Sequence, residues 1–141
     1  MDINSLDRFI DAQRGIYPIA LAEIVSGQKR SHWMWFIFPQ LRGLGTSDMA
    51  YTYGISGLDE ARAYLAHPVL SERLIEISGA LLAHGDKTPS AILGPVDAMK
   101  LQSSMTLFSV ISENDSVFHK VLEQFYGGNR DTRTLQLLGM A

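Results

Sequence analysis

Cysteine is absent from the 141-residue sequence, which excludes disulfides, thiolate catalysis and zinc–thiolate sites. Long apolar runs are also missing. The longest, from Trp33 to Phe38, is far shorter than the roughly 20 residues that a membrane-spanning helix needs. The first residues carry acidic side chains and lack the apolar stretch of a signal peptide. We therefore expect a soluble, cytoplasmic protein with no membrane partner.

An excess of charge is missing as well. The formal net charge is -3, so there is no domain-wide positive charge to attract nucleic acid. Hydrophobic residues make up 46% and charged residues 19% of the chain, a balance too apolar for a disordered protein. The length is typical of one domain. We predict a single all-helical domain over residues 1–141, either a monomer or a homodimer, without a nucleic-acid partner.

The spacing of the apolar residues predicts the fold. They recur at intervals of three and four, as in amphipathic helices. The segment HWMWFIF, closed by Pro39, is compatible with a buried strand or a short buried helix, and we favour the helix because no second strong strand could pair with it. We predict an all-α fold, a compact bundle of about seven to nine short helices. Helix starts are expected at or near Asn4 or Ser5, Pro18, Ser47, Ser56, Pro68, Thr88, Gly94, Asp115 and Asp131.

Familiar cofactor and metal motifs are not present. The histidines lack the HExxH spacing and have no neighbouring cluster of acids, and there is no P-loop, GxSxG or GxGxxG sequence. We therefore expect neither a metal nor a cofactor.

A glycine-rich loop is the first candidate site. Gly43 and Gly45 permit close backbone approach, Ser47 stands at a possible helix start, and Lys29 and Arg42 are near in sequence. Such a helix start could bind a phosphate or a carboxylate. The same residues also fit an ordinary tight turn with a serine cap and solvated basic side chains.

An aromatic cluster precedes this loop. Trp33 and Trp35, the two tryptophans of the chain, lie beside His32, and Gln40 follows them. Aromatic walls with a few polar groups suit a planar ligand. The alternative is that Trp33 to Phe38 belongs to the core and that His32 bonds to the backbone.

A polar helical face is the third candidate. Asp97, Lys100 and Ser104 are three and four residues apart and share one face, bordered by Ser103. A lysine beside serines could act as a general base if it were buried. The alternative is a surface ion pair with small serines that ease helix packing.

Four segments resemble a known family, the domain-of-unknown-function 1810 family. They are RFIDAQ (Arg8 to Gln13), KRSHWMWFIFPQLRGLGTS (Lys29 to Ser47), EARAYLAHPVLSERL (Glu60 to Leu74) and KLQSSMTLF (Lys100 to Phe108). The resemblance spans nearly the whole chain and implies a small, all-helical bacterial domain. It implies no established activity.

Two further resemblances concern function. Some members of that family carry a calpastatin-like label, but calpain inhibition of that kind uses long disordered segments, unlike this apolar chain. Glu60, Arg73, Lys100, Met105 and Phe108 are similar in order to residues of the NADAR N-glycosidase group, which is linked to ADP-ribose.

Our hypothesis is a pocket that joins the segment from Lys29 to Ser47 to the face of Lys100. We expect His32, Trp35, Gln40 and Lys100 to line one cavity that binds a small anionic ligand, such as a nucleotide or an ADP-ribose derivative. In an enzyme, His32 or Lys100 would be the acid or base and Arg42 would hold the anion. The alternative is a protein-interaction or structural module without catalysis.

Overall fold

A computed structural model of the chain describes residues 5–140, and the regular structure in this range is helical apart from one isolated bridge. The all-α prediction is confirmed. The ten helices of this range exceed the predicted seven to nine because segments of only four or five residues form helices of their own. The helices are α1 (Asp7–Gln13), α2 (Tyr17–Ser26), α3 (Met34–Ile37), α4 (Asp48–Thr52), α5 (Leu58–Ala66), α6 (Pro68–Leu81), α7 (Pro89–Leu93), α8 (Pro95–Ser109), α9 (Val117–Tyr126) and α10 (Thr132–Leu137).

Helix α8 lies at the centre of the bundle. It packs against α5, α7, α9 and α10, and its residues from Ser103 to Ser109 are all buried. A helix that is covered on most sides does not show a clear polar stripe. Helix α6 extends the core by packing against α2, α5 and α9. The site described below lies where the exposed first half of α8 meets the chain from α3 to α4.

Four of the helices carry a proline as their first or second residue. Each of these prolines lies in the first turn, where the missing N–H removes no helical hydrogen bond. They are Pro18, Pro68, Pro89 and Pro95. The predicted caps Ser47, Thr88 and Asp131 each accept a hydrogen bond from a backbone N–H of the first turn.

Two predicted caps differ from the structure. Helix α9 is capped by Ser116 and not by Asp115, since the Ser116 side chain accepts the backbone hydrogen bond. Helix α1 begins after Leu6 without a side-chain cap, although Ser5 Oγ accepts a hydrogen bond from the N–H of Asp7 at 3.1 Å. Asn4, the other predicted cap, lies outside the described residues.

The apolar run after His32 forms the short helix α3, as predicted. Its residues Met34, Phe36 and Ile37 are buried. The carbonyl of Phe36 accepts a hydrogen bond from Gln13 Nε2 at 2.8 Å, so the buried end of this short helix is partly satisfied by a side chain of α1.

A buried ion pair ties α1 to α5 and to the chain that precedes α5. Arg8 Nη1 lies 2.8 Å from Glu60 Oε2. Arg8 also donates to the carbonyls of Thr52 and Gly54, while Glu60 Oε1 accepts from the N–H of Ser56 at 2.8 Å. The pair therefore holds residues 52–56 in place.

The same chain is held from its other side by the loop after α3. Leu41 and Ile55 form a parallel bridge, in which the N–H of Ile55 donates to the carbonyl of Gln40 at 2.9 Å. A Cβ on Gly54 would lie 2.7 Å from the Cα of Arg42, so this close approach requires glycine. Gln40 is thereby placed next to Gly54.

Candidate functional site

A cavity of about 210 Å³ lies between α3, α4 and α8. We call it the Trp35 cavity. Its surface is mainly apolar, with an aromatic wall on α3, a second aromatic side chain after α4 and one cationic side chain from α8. The lining residues are Trp35, Gln40, Gly45, Thr46, Ser47, Ala50, Tyr53, Gly54 and Lys100.

Gly45 lets the loop that lines the cavity approach α4 closely. A Cβ on Gly45 would lie 2.6 Å from the Cβ of Ala50, so any larger residue would push the loop away from the helix. The hydroxyl of Ser47 accepts a hydrogen bond from the N–H of Ala50 at 3.1 Å. Ser47 therefore lines the cavity while it caps α4.

Lys100 is the cation of the cavity. Its Nζ lies 5.5 Å from the centre of the Trp35 ring, within the range of a cation–π interaction. It also lies 3.7 Å from Asp97 Oδ1, one turn earlier on α8. The side chain is 29% exposed, so the ammonium group has donors that a ligand could use.

Asp97 is shared between two lysines. Its Oδ2 lies 3.1 Å from Lys29 Nζ, and the Lys29 side chain is only 9% exposed. Lys29 also donates to the carbonyl of Ser31 at 2.5 Å and lies 5.0 Å from the centre of the Trp33 ring. Two ammonium groups thus face one carboxylate.

Glu23 on α2 orders the segment that carries Lys29. Its carboxylate accepts hydrogen bonds from the N–H of Arg30 and from the indole of Trp33, at 2.8 and 3.0 Å, and from both the N–H and the hydroxyl of Ser31. Partial burial raises the pKa of Glu23, but the hydrogen bonds from Ser31, Arg30 and Trp33 outweigh this and lower the pKa to about 2. The charged carboxylate therefore fixes the entry to α3.

A second depression, of about 250 Å³, adjoins the Trp35 cavity, and we call it the Arg133 groove. The two share Gln40, Gly45 and Lys100. The other lining residues of the Arg133 groove are Leu44, Val96, Met99, Gln102, Ser103, Asp131 and Arg133.

Comparison with known proteins places the chain in a family. The model of the family described as "Protein of unknown function (DUF1810)" matches residues 3–138. The chain belongs to this family. The family membership predicted from the sequence is thereby confirmed, and no curated protein matches the chain.

A solved structure is closely similar to this DUF1810 member. The conserved hypothetical protein Rv1873 from Mycobacterium tuberculosis is 46% identical in sequence, with a TM-score of 0.94. The match covers 99% of this chain and 100% of that one. The two proteins therefore share this fold.

The fold brings half of the site residues predicted for this DUF1810 member to the two depressions. The Trp35 cavity receives five of them, which are Trp35, Gln40, Gly45, Ser47 and Lys100. Ser103 lines the Arg133 groove instead.

Four other predicted residues lie away from the Trp35 cavity. His32 is exposed and does not line it, so Lys100 is the acid or base candidate that the geometry retains. Trp33 is fully buried in the core. Arg42 lies over the Tyr51 ring and donates to the Tyr51 carbonyl, and Gly43 turns the chain beside Leu137.

The serines of α8 are not paired with Lys100. Ser103 Oγ donates to the carbonyl of Met99 in its own helix at 3.2 Å. Ser104 Oγ is buried and has no hydrogen-bond partner among residues 5–140. Lys100 is instead paired with Asp97, so the geometry does not form a serine–lysine dyad in the described part of the chain.

Other residues of the site were not predicted. Tyr53 and Gly54 line the cavity, and Glu23 orders the chain beside it. No motif marks them, because each reaches the site through a contact with another segment of the chain. The bridge between Leu41 and Ile55, which brings Gly54 to Gln40, is too short to leave a strand pattern.

Two features are absent from residues 5–140, a cluster of metal-ligating side chains and a helix that could span a membrane. Residues 5–140 contain no group of three or more His, Cys, Asp or Glu side chains that could hold a metal ion. Across the same residues, none of the helices combines the length and the apolarity needed to cross a membrane.

Proposed function

We propose that the Trp35 cavity binds a small anionic ligand that carries a planar ring, such as a nucleotide or an ADP-ribose derivative. The observation that carries the proposal is the Lys100 ammonium group, which lies 5.5 Å from the Trp35 ring in a mainly apolar cavity. An aromatic wall provides area for stacking, and a partly desolvated cation next to it attracts an anion.

The charges around Lys100 favour an anionic ligand over a cationic one. Asp97 is shared between Lys29 and Lys100, so its single negative charge does not balance both. Lys29 is nearly buried and already paired, which leaves Lys100 as the lysine that can reach a ligand. Lys100 is also the residue that could transfer a proton if the ligand is turned over.

A thermal-shift screen tests the proposal. The probes are AMP, GMP, ADP-ribose and ribose 5-phosphate. A ligand at about 100 times its dissociation constant adds ~2.7 kcal/mol to the stability, which is readily measured. We expect Lys100→Gln to abolish the shift and Lys120→Gln, which removes an exposed lysine outside the cavity, to preserve it. No shift with any probe, or equal losses in both variants, would contradict the proposal.

Tryptophan fluorescence provides a second readout. Of the two tryptophans of the chain, Trp33 is buried and Trp35 lines the cavity. A ring that stacks on Trp35 should quench its emission, and Trp35→Phe should remove the quenching while it retains an aromatic wall. Quenching that persists in Trp35→Phe would place the ligand elsewhere.

A protein-interaction module is the second candidate function. Two large apolar side chains of the Arg133 groove are well exposed, namely Val96 at 65% and Met99 at 71%. Exposed apolar patches of sufficient size mark interaction sites. If they join two copies of this chain, light scattering should detect a dimer that Val96→Asp with Met99→Asp converts to a monomer. A monomeric wild-type protein would contradict this version of the module.

A further inference from the structure

The Trp35 cavity is smaller than most ligand sites. Sites for small molecules have volumes of about 300–1,000 Å³. The Trp35 cavity has about 210 Å³ and the Arg133 groove about 250 Å³, so each alone lies below this range and the two joined lie within it. They meet at Gln40, Gly45 and Lys100, which line both. Lys100 therefore stands at the junction and not at the end of the combined space.

The polar side chains of the Arg133 groove differ in whether they already have hydrogen-bond partners within the protein. Asp131 Oδ2 accepts hydrogen bonds from the N–H and the hydroxyl of Thr134, at 2.9 and 2.5 Å. Gln102 Nε2 donates to the carbonyl of Asn129 at 3.0 Å. Arg133 is exposed and has no hydrogen-bond or ion-pair partner among residues 5–140. The guanidinium of Arg133 is therefore a cation of the groove whose N–H donors are available to a ligand.

We infer that the ligand spans both depressions and carries two anionic groups in a row, as a ring-bearing diphosphate does. The ring lies against Trp35 and Tyr53, the first anionic group at Lys100 and the second at Arg133. Arginine suits this position because its planar guanidinium can bind a phosphate through two parallel hydrogen bonds. The inference rests on the proposed function and narrows its ligand class to ring-bearing diphosphates.

Matched pairs of nucleotides test the inference. The dissociation constants of AMP and ADP, and of GMP and GDP, are measured by isothermal titration for the wild type, Arg133→Gln and Arg130→Gln. Arg130 is an exposed arginine three residues earlier that does not line the Arg133 groove. We expect each diphosphate to bind the wild type about tenfold more tightly than its monophosphate, as one charge-assisted hydrogen bond would produce. Arg133→Gln should remove this advantage without weakening the monophosphate, and Arg130→Gln should preserve it.

The outcomes separate the two proposals. Equal binding of monophosphate and diphosphate by the wild type would overturn the spanning ligand and leave the proposed function standing. An equal loss of affinity for the monophosphate and the diphosphate in Arg133→Gln would also overturn it, because Arg133 would then not bind the second phosphate. If none of AMP, ADP, GMP and GDP binds, the inference is overturned. If, in addition, none of the probes of the thermal-shift screen stabilises the protein, the proposed function is overturned as well.

Discussion

Two charged clusters of this protein differ in how completely their hydrogen-bonding groups are used. Arg8 has five N–H donors, and all of them are bonded, to the carbonyls of Ser5, Thr52 and Gly54 and to both oxygens of Glu60. Lys100, in contrast, faces one carboxylate at 3.7 Å. The Arg8–Glu60 cluster is buried, whereas Lys100 is 29% exposed.

The difference indicates which cluster maintains the fold and which can serve a ligand. A buried charge is tolerated only if its partners replace the lost water, and Arg8 meets that condition through backbone and carboxylate oxygens. It thereby holds Gly54, a wall of the Trp35 cavity. The partly open ammonium group of Lys100 has donors left, so its partner can come from outside the chain.

The largest expected effect comes from breaking the buried cluster. Glu60→Ala leaves the guanidinium of Arg8 buried without its counter-ion, and such a change costs about 3–5 kcal/mol. Chemical denaturation should show this loss in the free energy of unfolding. Asp59→Ala, which removes an exposed carboxylate next to it, should cost less than about 1 kcal/mol. Similar losses in both variants would mean that the burial of the pair is not what matters.

An intermediate effect is expected at Glu23, and it should depend on pH. Glu23→Gln removes the charge that accepts four hydrogen bonds, with an expected loss of about 1–3 kcal/mol at pH 7. The pKa of this carboxyl falls from 4.5 to about 2 on folding, so the charged form stabilises the folded state. Its contribution is complete above pH 4.5 and is lost as the pH falls toward 2.

Urea denaturation of the wild type and of Glu23→Gln between pH 7 and pH 2 checks this sign. The difference in stability between the two proteins should shrink as the pH falls through that window. A difference that stays constant down to pH 2 would show that the charge of Glu23 is not the stabilising feature.

The smallest effect on stability is expected at Lys100. A partly exposed ion pair contributes less than about 1 kcal/mol, so Lys100→Gln should unfold at nearly the same denaturant concentration as the wild type. The same variant should lose ligand binding, as proposed above. A loss of stability as large as that of Glu60→Ala would assign Lys100 to the fold and remove the contrast between the clusters.

Much of the fold could be predicted from local patterns. Pro18, Pro68, Pro89 and Pro95 lie in the first turns of helices because proline constrains its own backbone, whatever surrounds it. Neighbouring hydroxyl and acid side chains can compete to cap the same helix. At α9 the cap is Ser116 and not the predicted Asp115. The class of the fold followed from the spacing of the apolar residues.

The candidate site could be predicted only in part. Trp35, Gln40 and Lys100 stand out in the sequence because they are aromatic or polar where a packing helix would carry aliphatic side chains. Tyr53, Gly54 and Arg133 do not stand out, because their role depends on which loops the bridge at Ile55 and the turn before α10 bring close.

The two tryptophans separate what the sequence by itself determined from what it did not. It determined the all-α class, because the spacing of apolar residues acts locally, and it favoured a short helix for the apolar aromatic segment, because no second strong strand could pair with it. It did not determine which indole would be buried. Trp33 precedes α3 and Trp35 lies within it, and only the packing of α2 and α8 decided that Trp33 is buried with its indole N–H on Glu23 and that Trp35 meets Lys100 in the cavity, because burial depends on which elements cover each side chain.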